Sequence, residues 1–528
     1  MSEEQKRLLE QQLWNIANIL RGKINANQFQ DYILGFIFYK YLSEKMEKYA
    51  NDILKSDRIA YIEIDESTDE GKAYIEAVRD ASVEALGFFL KPAELFSSLA
   101  KKGNAKEEDE DEESTDTFIL EDLDTILRNI EKSTMGTESE EDFDNLFYDI
   151  DLNSNKIGKT PKDRNFVVVK IITSLNKIDF DLENLESDVL GDAYEYLIAQ
   201  FAAGAGQKAG EFYTPAQVST VLARIVTTGK DRLRSVYDPT CGSGSLLLRV
   251  GKEVNEVSHY YGQEQNRTTY NLARMNMILH GKIYHDFTIK HEDTLEKPQH
   301  LGQQFEAIVA NPPFSANWSA NPLFSNDERF AQYGKLAPSS KADFAFIQHM
   351  VHHLDDSGTM ACIAPHGVLF RGAAEGHIRK YLIADRNYID AVIGLPSNLF
   401  YGTGIPTCIL VLKKCRETPE DILFIDASRN FEKVKAQNYL KTGNIDKIID
   451  TYRNRKVVAK YSAIASLEQV KENNYNLNIP RYVNTYEEED AINIEDLADK
   501  LKLLDKRIAE ADATISIFCN ELGIVTPF

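Results

Sequence analysis

At 528 residues, with 43% hydrophobic and 27% charged side chains, the chain has the composition of a globular protein of two or three domains. Its formal net charge of −23 is the wrong sign for a protein that coats nucleic acid unaided, and no apolar run approaches the length that spans a bilayer. Five cysteines (Cys241, Cys362, Cys408, Cys415 and Cys519) are an odd number without CxxC spacing, which argues against a disulfide framework or a zinc site and points to a reducing cytoplasm.

The first residues, Met1-Ser2-Glu3-Glu4, are acidic and polar, unlike a signal peptide. Residues 1–165 read as a helical N-terminal domain. Leu9, Leu13, Ile16 and Leu20 fall at helical spacing, and a second apolar helix is predicted over residues 32–42. Residues 101–150 hold 18 acidic and 5 basic side chains, so more than half of the net charge lies in under a tenth of the chain. Seven consecutive acids at 107–113 repel one another and read as a solvated insertion near 105–117. The remainder is only mildly acidic. That leaves room for a local basic groove and suggests that another chain supplies much of any phosphate contact.

From about residue 190, short apolar runs alternate with helical segments. Strands are predicted at 235–237, 259–262, 305–309, 359–364, 389–393 and 408–412, with helices such as 269–280 and 344–354 between them. The pattern predicts an α/β domain over 166–485 with a mainly parallel sheet, whose ligands bind beyond the carboxyl ends of the strands. From 486 to 528 the repeat changes. Ile494, Leu497, Leu501, Leu504, Ile508, Ala511, Ile515 and Phe518 alternate at spacings of three and four, a heptad seam suited to docking on another helix. An amphipathic helix packed on its own domain is the alternative.

The stretch Tyr237-Asp238-Pro239-Thr240-Cys241-Gly242-Ser243-Gly244-Ser245-Leu246-Leu247 reads as a strand end, a glycine turn and a helix start. Leu247 stands where a dinucleotide fingerprint wants a third glycine, and no Gly-Lys-Ser/Thr follows, so a phosphate-cradling loop is excluded. Glu264, 22 residues past Gly242 at the predicted end of the next strand, is placed to accept from ribose hydroxyls. Asp293 would end a third strand, either to accept from an adenine amino group or to cap a turn before Leu295. In Gly210-Glu211-Phe212-Tyr213-Thr214-Pro215, Thr214 is predicted to cap a helix with Pro215 in its first turn, and capping leaves the paired aromatics unexplained.

Asn311-Pro312-Pro313-Phe314 follows the apolar run that ends at Ala310. Two prolines remove backbone donors and fix φ, which holds the Asn311 amide and the Pro312 carbonyl at one spot with an aromatic ring beside them. Such a corner suits a planar group bearing an NH2, such as an adenine drawn out of a duplex. A proline-rich turn without chemistry is the plain alternative. The corner by itself would serve cytosine N4, an RNA base or a glutamine amide as well.

Taken in order, Phe212-Tyr213-Thr214-Pro215, Asp238-Pro239-Thr240-Cys241-Gly242-Ser243-Gly244, Glu264, Asp293 and Asn311-Pro312-Pro313-Phe314 resemble the modification subunit of type I restriction–modification systems, which are adenine-N6 DNA methyltransferases. Further similar stretches lie at 340–346, 365–372 and 473–477, so the likeness covers nearly the whole chain. Cys241 stands where alanine is common and Phe314 where tyrosine is often found. The resemblance implies an S-adenosylmethionine-dependent methyltransferase of Rossmann-like fold. It implies a cofactor site formed by Glu211, Phe212, Tyr213, Thr214, Pro215, the loop from Asp238 through Ser243 and Gly244 to Ser245, Glu264 and Asp293, with Asn311, Pro312, Pro313 and Phe314 catalytic and no metal. It also implies double-stranded DNA as substrate, a specificity subunit carrying two modification subunits, and a restriction/motor subunit. A catalytically silent scaffold of the same fold is the competing reading.

Overall fold

The computed structural model describes residues 3–19, 26–104, 118–180, 189–204, 213–400, 402–434, 437–485 and 494–528. The acidic run at 107–113 and residues Glu211 and Phe212 lie outside them. Two compact units are present, Met1–Val483 and Asn484–Phe528.

The first unit begins with helices alone among its described residues up to 204, including Ala26–Leu54, Leu120–Ser133 and Pro161–Asn176. Beyond them lies a nine-stranded sheet: β1 (Val236–Asp238), β2 (Tyr260–Glu264), β3 (Phe287–His291), β4 (Phe305–Ala310), β5 (Leu354–Pro365), β6 (Ile389–Gly394), β7 (Thr407–Lys413), β8 (Asp421–Asp426) and β9 (Ser462–Ser466). Their order across the sheet is β3-β2-β1-β4-β5-β7-β6-β8-β9. All six predicted strands are present, within a few residues of their expected limits. The third strand expected to end at Asp293 is β3 and stops at His291, while β8 and β9 extend the sheet beyond the prediction.

The pairs β1–β2, β2–β3, β1–β4, β4–β5 and β6–β8 are parallel. β7 runs antiparallel to both its neighbours, and β9 to β8. β7 follows β6 through residues 395–406, which hold no helical crossover among the described residues, and a chain that returns directly pairs antiparallel. Alternate residues of β4 serve opposite faces. Ala307 and Val309 join a core with Val221, Leu222 and Leu247, whereas Ile308 and Ala310 join a second core with Phe344, Ile347 and Met350. Burial on both faces explains why these strands read as unbroken apolar runs.

The N-terminal helices are fastened to the sheet domain through helix Arg267–Leu279. Buried Arg274 donates to the carbonyls of Glu141 at 2.8 Å and Asp144 at 3.1 Å, and Asn271 donates to Asp149 at 3.0 Å. The second unit contains helix Ile494–Leu522, on which the seam residues Leu497, Leu501, Leu504 and Ile508 are exposed. No helix among the described residues is long and apolar enough to cross a membrane.

Candidate active site

Strand order reverses at β1, which has β2 on one side and β4 on the other. Because these strands are parallel, their carboxyl ends share one rim, where α/β sheets bind ligands. Asp238 ends β1 and Glu264 ends β2; Asp293 lies two residues past β3, and Asn311 follows β4 directly. Four residues far apart in sequence therefore meet at one edge.

The turn after β1 depends on Gly242 and Gly244, both left-handed with φ of 55° and 76°. Gly242 donates its N–H to Glu264 Oε2 at 3.0 Å, and Asn266 donates to Oε1 at 2.8 Å. Each oxygen keeps a further lone pair, so Glu264 can brace the turn and still accept from a diol. Burial raises its pKa, opposed by these backbone donors. The close-packing glycine missing at Leu247 is found across the gap on β2. A Cβ on Gly262 would stand 3.0 Å from Cys241 Sγ and 3.3 Å from Leu247. Asp238 is 1% exposed and accepts the Thr240 N–H at 2.9 Å. Burial pushes its carboxyl up to about 8, with nearby Glu264 adding to the rise and the Thr240 bonds opposing it.

A cleft of about 510 Å³ runs along this rim, within the ~300–1,000 Å³ range of small-molecule sites. Glu264, Asn266 and Asp293 give it polar groups, and Pro313, Trp318 and Phe346 give it an apolar wall. Asp293 Oδ1 accepts the N–H groups of Leu295 at 2.9 Å and Glu296 at 3.1 Å, so the turn-capping role is real. Both bonds fall on one oxygen, and the residue still faces the cleft. Arg329, 1% exposed, fixes this turn by donating to the carbonyls of Thr294 at 3.0 Å and Leu295 at 2.9 Å.

At the other end, Tyr213, Thr214, Asp238, Ser243 and Asn311 line a space of about 10 Å³, barely the ~10–15 Å³ that admits one water. The predicted cap differs from the structure. Helix Ala216–Val226 has Pro215 as its N-cap residue, and no side chain caps it. Thr214 lines the narrow end instead, because Pro215 lies outside the helix and carries the chain past it.

At the corner, Asn311 and Pro312 are buried, while Pro313 and Phe314 are half-buried. The Phe314 ring meets Phe400 in a T-shaped contact, centroids 5.6 Å apart. Ser315 then takes a left-handed φ of 50°. Its N–H donates to Asp343 Oδ1 at 2.8 Å, and Arg371 donates to Asp343 Oδ2 at 3.0 Å and Glu375 at 3.2 Å. Asp343 and Arg371 belong to the stretches 340–346 and 365–372, which in the sequence had a likeness and no role. The bracket they form around the corner is visible only in three dimensions. Gly367 leaves room for it, since a Cβ there would lie 2.2 Å from the Arg371 guanidinium.

The model of the N-6 DNA methylase family matches residues 185–491, which include the rim, the glycine turn and the corner. A type I restriction enzyme methylase subunit (MpnII) of Mycoplasma pneumoniae is 39% identical over 99% of this chain and 98% of its own length. The chain belongs to the N-6 DNA methylases, among the type I restriction–modification methylase subunits. Residues 9–175 match the HsdM N-terminal domain, so the helical region is part of this family's architecture. The MjaVIII methylase subunit of Methanocaldococcus jannaschii is 30% identical over 91% of this chain and 86% of its own. The crystal structure of a type I methyltransferase subunit from Streptococcus thermophilus superposes with a TM-score of 0.81 at 41% identity, over 91% of this chain and all of that one.

Proposed function

We propose that this chain is the modification subunit of a type I restriction–modification enzyme and methylates N6 of an adenine extruded from duplex DNA. The observation that carries this reading is that Asn311 shares one cleft end with Asp238 and the glycine turn. An amine acceptor and a cofactor-type loop thus face the same small space. In this reading residues 1–165 are the helical domain, 166–485 the methyltransferase and 486–528 a docking helix. A specificity subunit bound to two copies chooses the site in the cytoplasm, and a restriction/motor subunit can join.

S-adenosylmethionine fits the donor set: a diol acceptor at Glu264, a second acid at Asp293, an apolar wall at Trp318 and Phe346, and a buried carboxyl at Asp238 to face an ammonium. Glu211, Phe212, Tyr213, Thr214, Pro215 and the 238–245 loop complete the proposed site. When bound, the cofactor supplies an electrophilic methyl group. The protein's part is to make the amine a nucleophile. Asn311 Oδ1 and the Pro312 carbonyl accept the two N–H bonds, which draws electron density back onto nitrogen and aims its lone pair. These bonds strengthen as positive charge develops on nitrogen. Pro313 stiffens the corner and Phe314 stacks on the base.

The complex with its specificity subunit, incubated with labelled cofactor and duplex DNA and then digested to nucleosides, should yield N6-methyladenine. N4-methylcytosine, or label only in RNA or protein, would refute the substrate. Asn311→Ala should abolish transfer with cofactor binding retained, and joint loss of both would sink the assignment.

A further inference from the structure

β6 and β8 run parallel to each other, and β6 lies antiparallel to β7 as β5 does, so β6 and β8 end on the same rim as β4. Beyond β8 the chain forms a small antiparallel hairpin, Glu432–Val434 with Gln437–Tyr439. It is tied to the loop after β6. Asn438 donates its backbone N–H to the Asn398 carbonyl at 2.9 Å and its side-chain amide to the Ser397 carbonyl at 2.7 Å. Two residues on, Phe400 meets Phe314 of the corner. β8 stands four places from β4, about 19 Å at ~4.8 Å per strand, and the 395–400 loop spans that gap.

The local charge is opposite to that of the chain. Residues 429–441 hold four basic side chains (Arg429, Lys433, Lys435 and Lys441) and one acid, Glu432, in a protein of net charge −23. Glu432 is ion-paired with Lys441 at 2.7 Å. Lys433 stands opposite Asn438 in the ladder, so it belongs to the hairpin face that Asn438 turns toward the Ser397–Asn398 carbonyls, and it is exposed. Arg429, just before the hairpin, is exposed as well.

We propose that this hairpin is a backbone contact for duplex DNA, with Lys433 and Arg429 meeting phosphates a few base pairs from the extruded base. A helical turn of duplex is about 34 Å long for ~10 base pairs, so a strand spacing of ~19 Å from the corner corresponds to about six base pairs. The inference rests on the DNA-methylating reading above. It adds a substrate contact that this chain makes itself, a local basic site on a mildly acidic body.

The test uses the complex with its specificity subunit. Lys433→Gln should lower the slope of log K for DNA against log salt by about one, uniformly across sequences, and Lys433→Glu should weaken binding about tenfold. Cofactor affinity and the rate at saturating DNA should stay within about twofold. Lys441→Gln, on the opposite face, should leave the slope unchanged. An unaltered slope and affinity in Lys433→Glu, with the parent complex still methylating DNA, would overturn the hairpin's role alone. Loss of subunit assembly in Lys433→Glu would overturn it too, by assigning this face to protein. A parent complex that methylates no DNA would instead defeat the functional reading.

Discussion

Gly367→Ala tests whether the corner is held from behind. The new Cβ would sit 2.2–2.3 Å from the Arg371 guanidinium, well inside contact distance, so the guanidinium must shift, and we expect the shift to break its bond to Asp343. Asp343 then keeps the Ser315 N–H at 2.8 Å and loses the partner at 3.0 Å. Breaking a buried pair costs about 3–5 kcal/mol, but the Arg371 side chain is 24% exposed and retains water, so about 1–2 kcal/mol is the appropriate scale here. The larger consequence is geometric. A reacting group misplaced by ~1 Å can lose about 10²-fold in rate. We expect kcat to fall 10- to 100-fold (an order-of-magnitude estimate) with cofactor affinity unchanged, and Asp343→Asn to show the same split. Steady-state methylation at saturating cofactor, together with equilibrium dialysis of labelled cofactor, measures both quantities. Unchanged kcat, or equal loss of rate and cofactor affinity, would refute the bracket.

Phe314→Ala should lower kcat/KM for DNA by about 1–3 kcal/mol, or ~5- to 150-fold, while cofactor binding holds, because the ring does not line the cofactor cleft; Phe314→Trp should recover most of the loss. Asp238 predicts a pH dependence. In the empty site its carboxyl is neutral below about 8, yet it must be charged to face an ammonium. Cofactor affinity should therefore rise about tenfold per pH unit from 6 toward 8, and fall above that as the ligand's own α-amino group (~8) deprotonates. Titration calorimetry across this range should show the rising limb in the parent protein and a flat one in Asp238→Asn; a slope that survives in the variant would rule Asp238 out.

Strands such as Phe305–Ala310 were legible because they are buried on both faces, and the rim was legible where a strand ends in a marked residue, as with Val309-Ala310-Asn311 and Gln263-Glu264. The heptad seam could be read from local pattern alone, and its residues fall on one long helix. The terminal strands β8 and β9, the antiparallel β7 and the Asp343–Arg371 bracket could not. Their identity depends on which neighbour they meet. Leu247 illustrates the difference. The sequence marked it as a missing glycine, whereas the fold supplies the missing space from Gly262 on another strand. Thr214 is similar, since whether it caps a helix or faces a ligand turns on where Pro215 lets the helix begin. Residue types and their order were enough to show an α/β domain resembling a methylase and to mark the Asn311–Phe314 corner as a candidate for binding an amine. Hydrogen bonds between distant segments, which no local periodicity encodes, decided how that corner is held and which surface lies beside it.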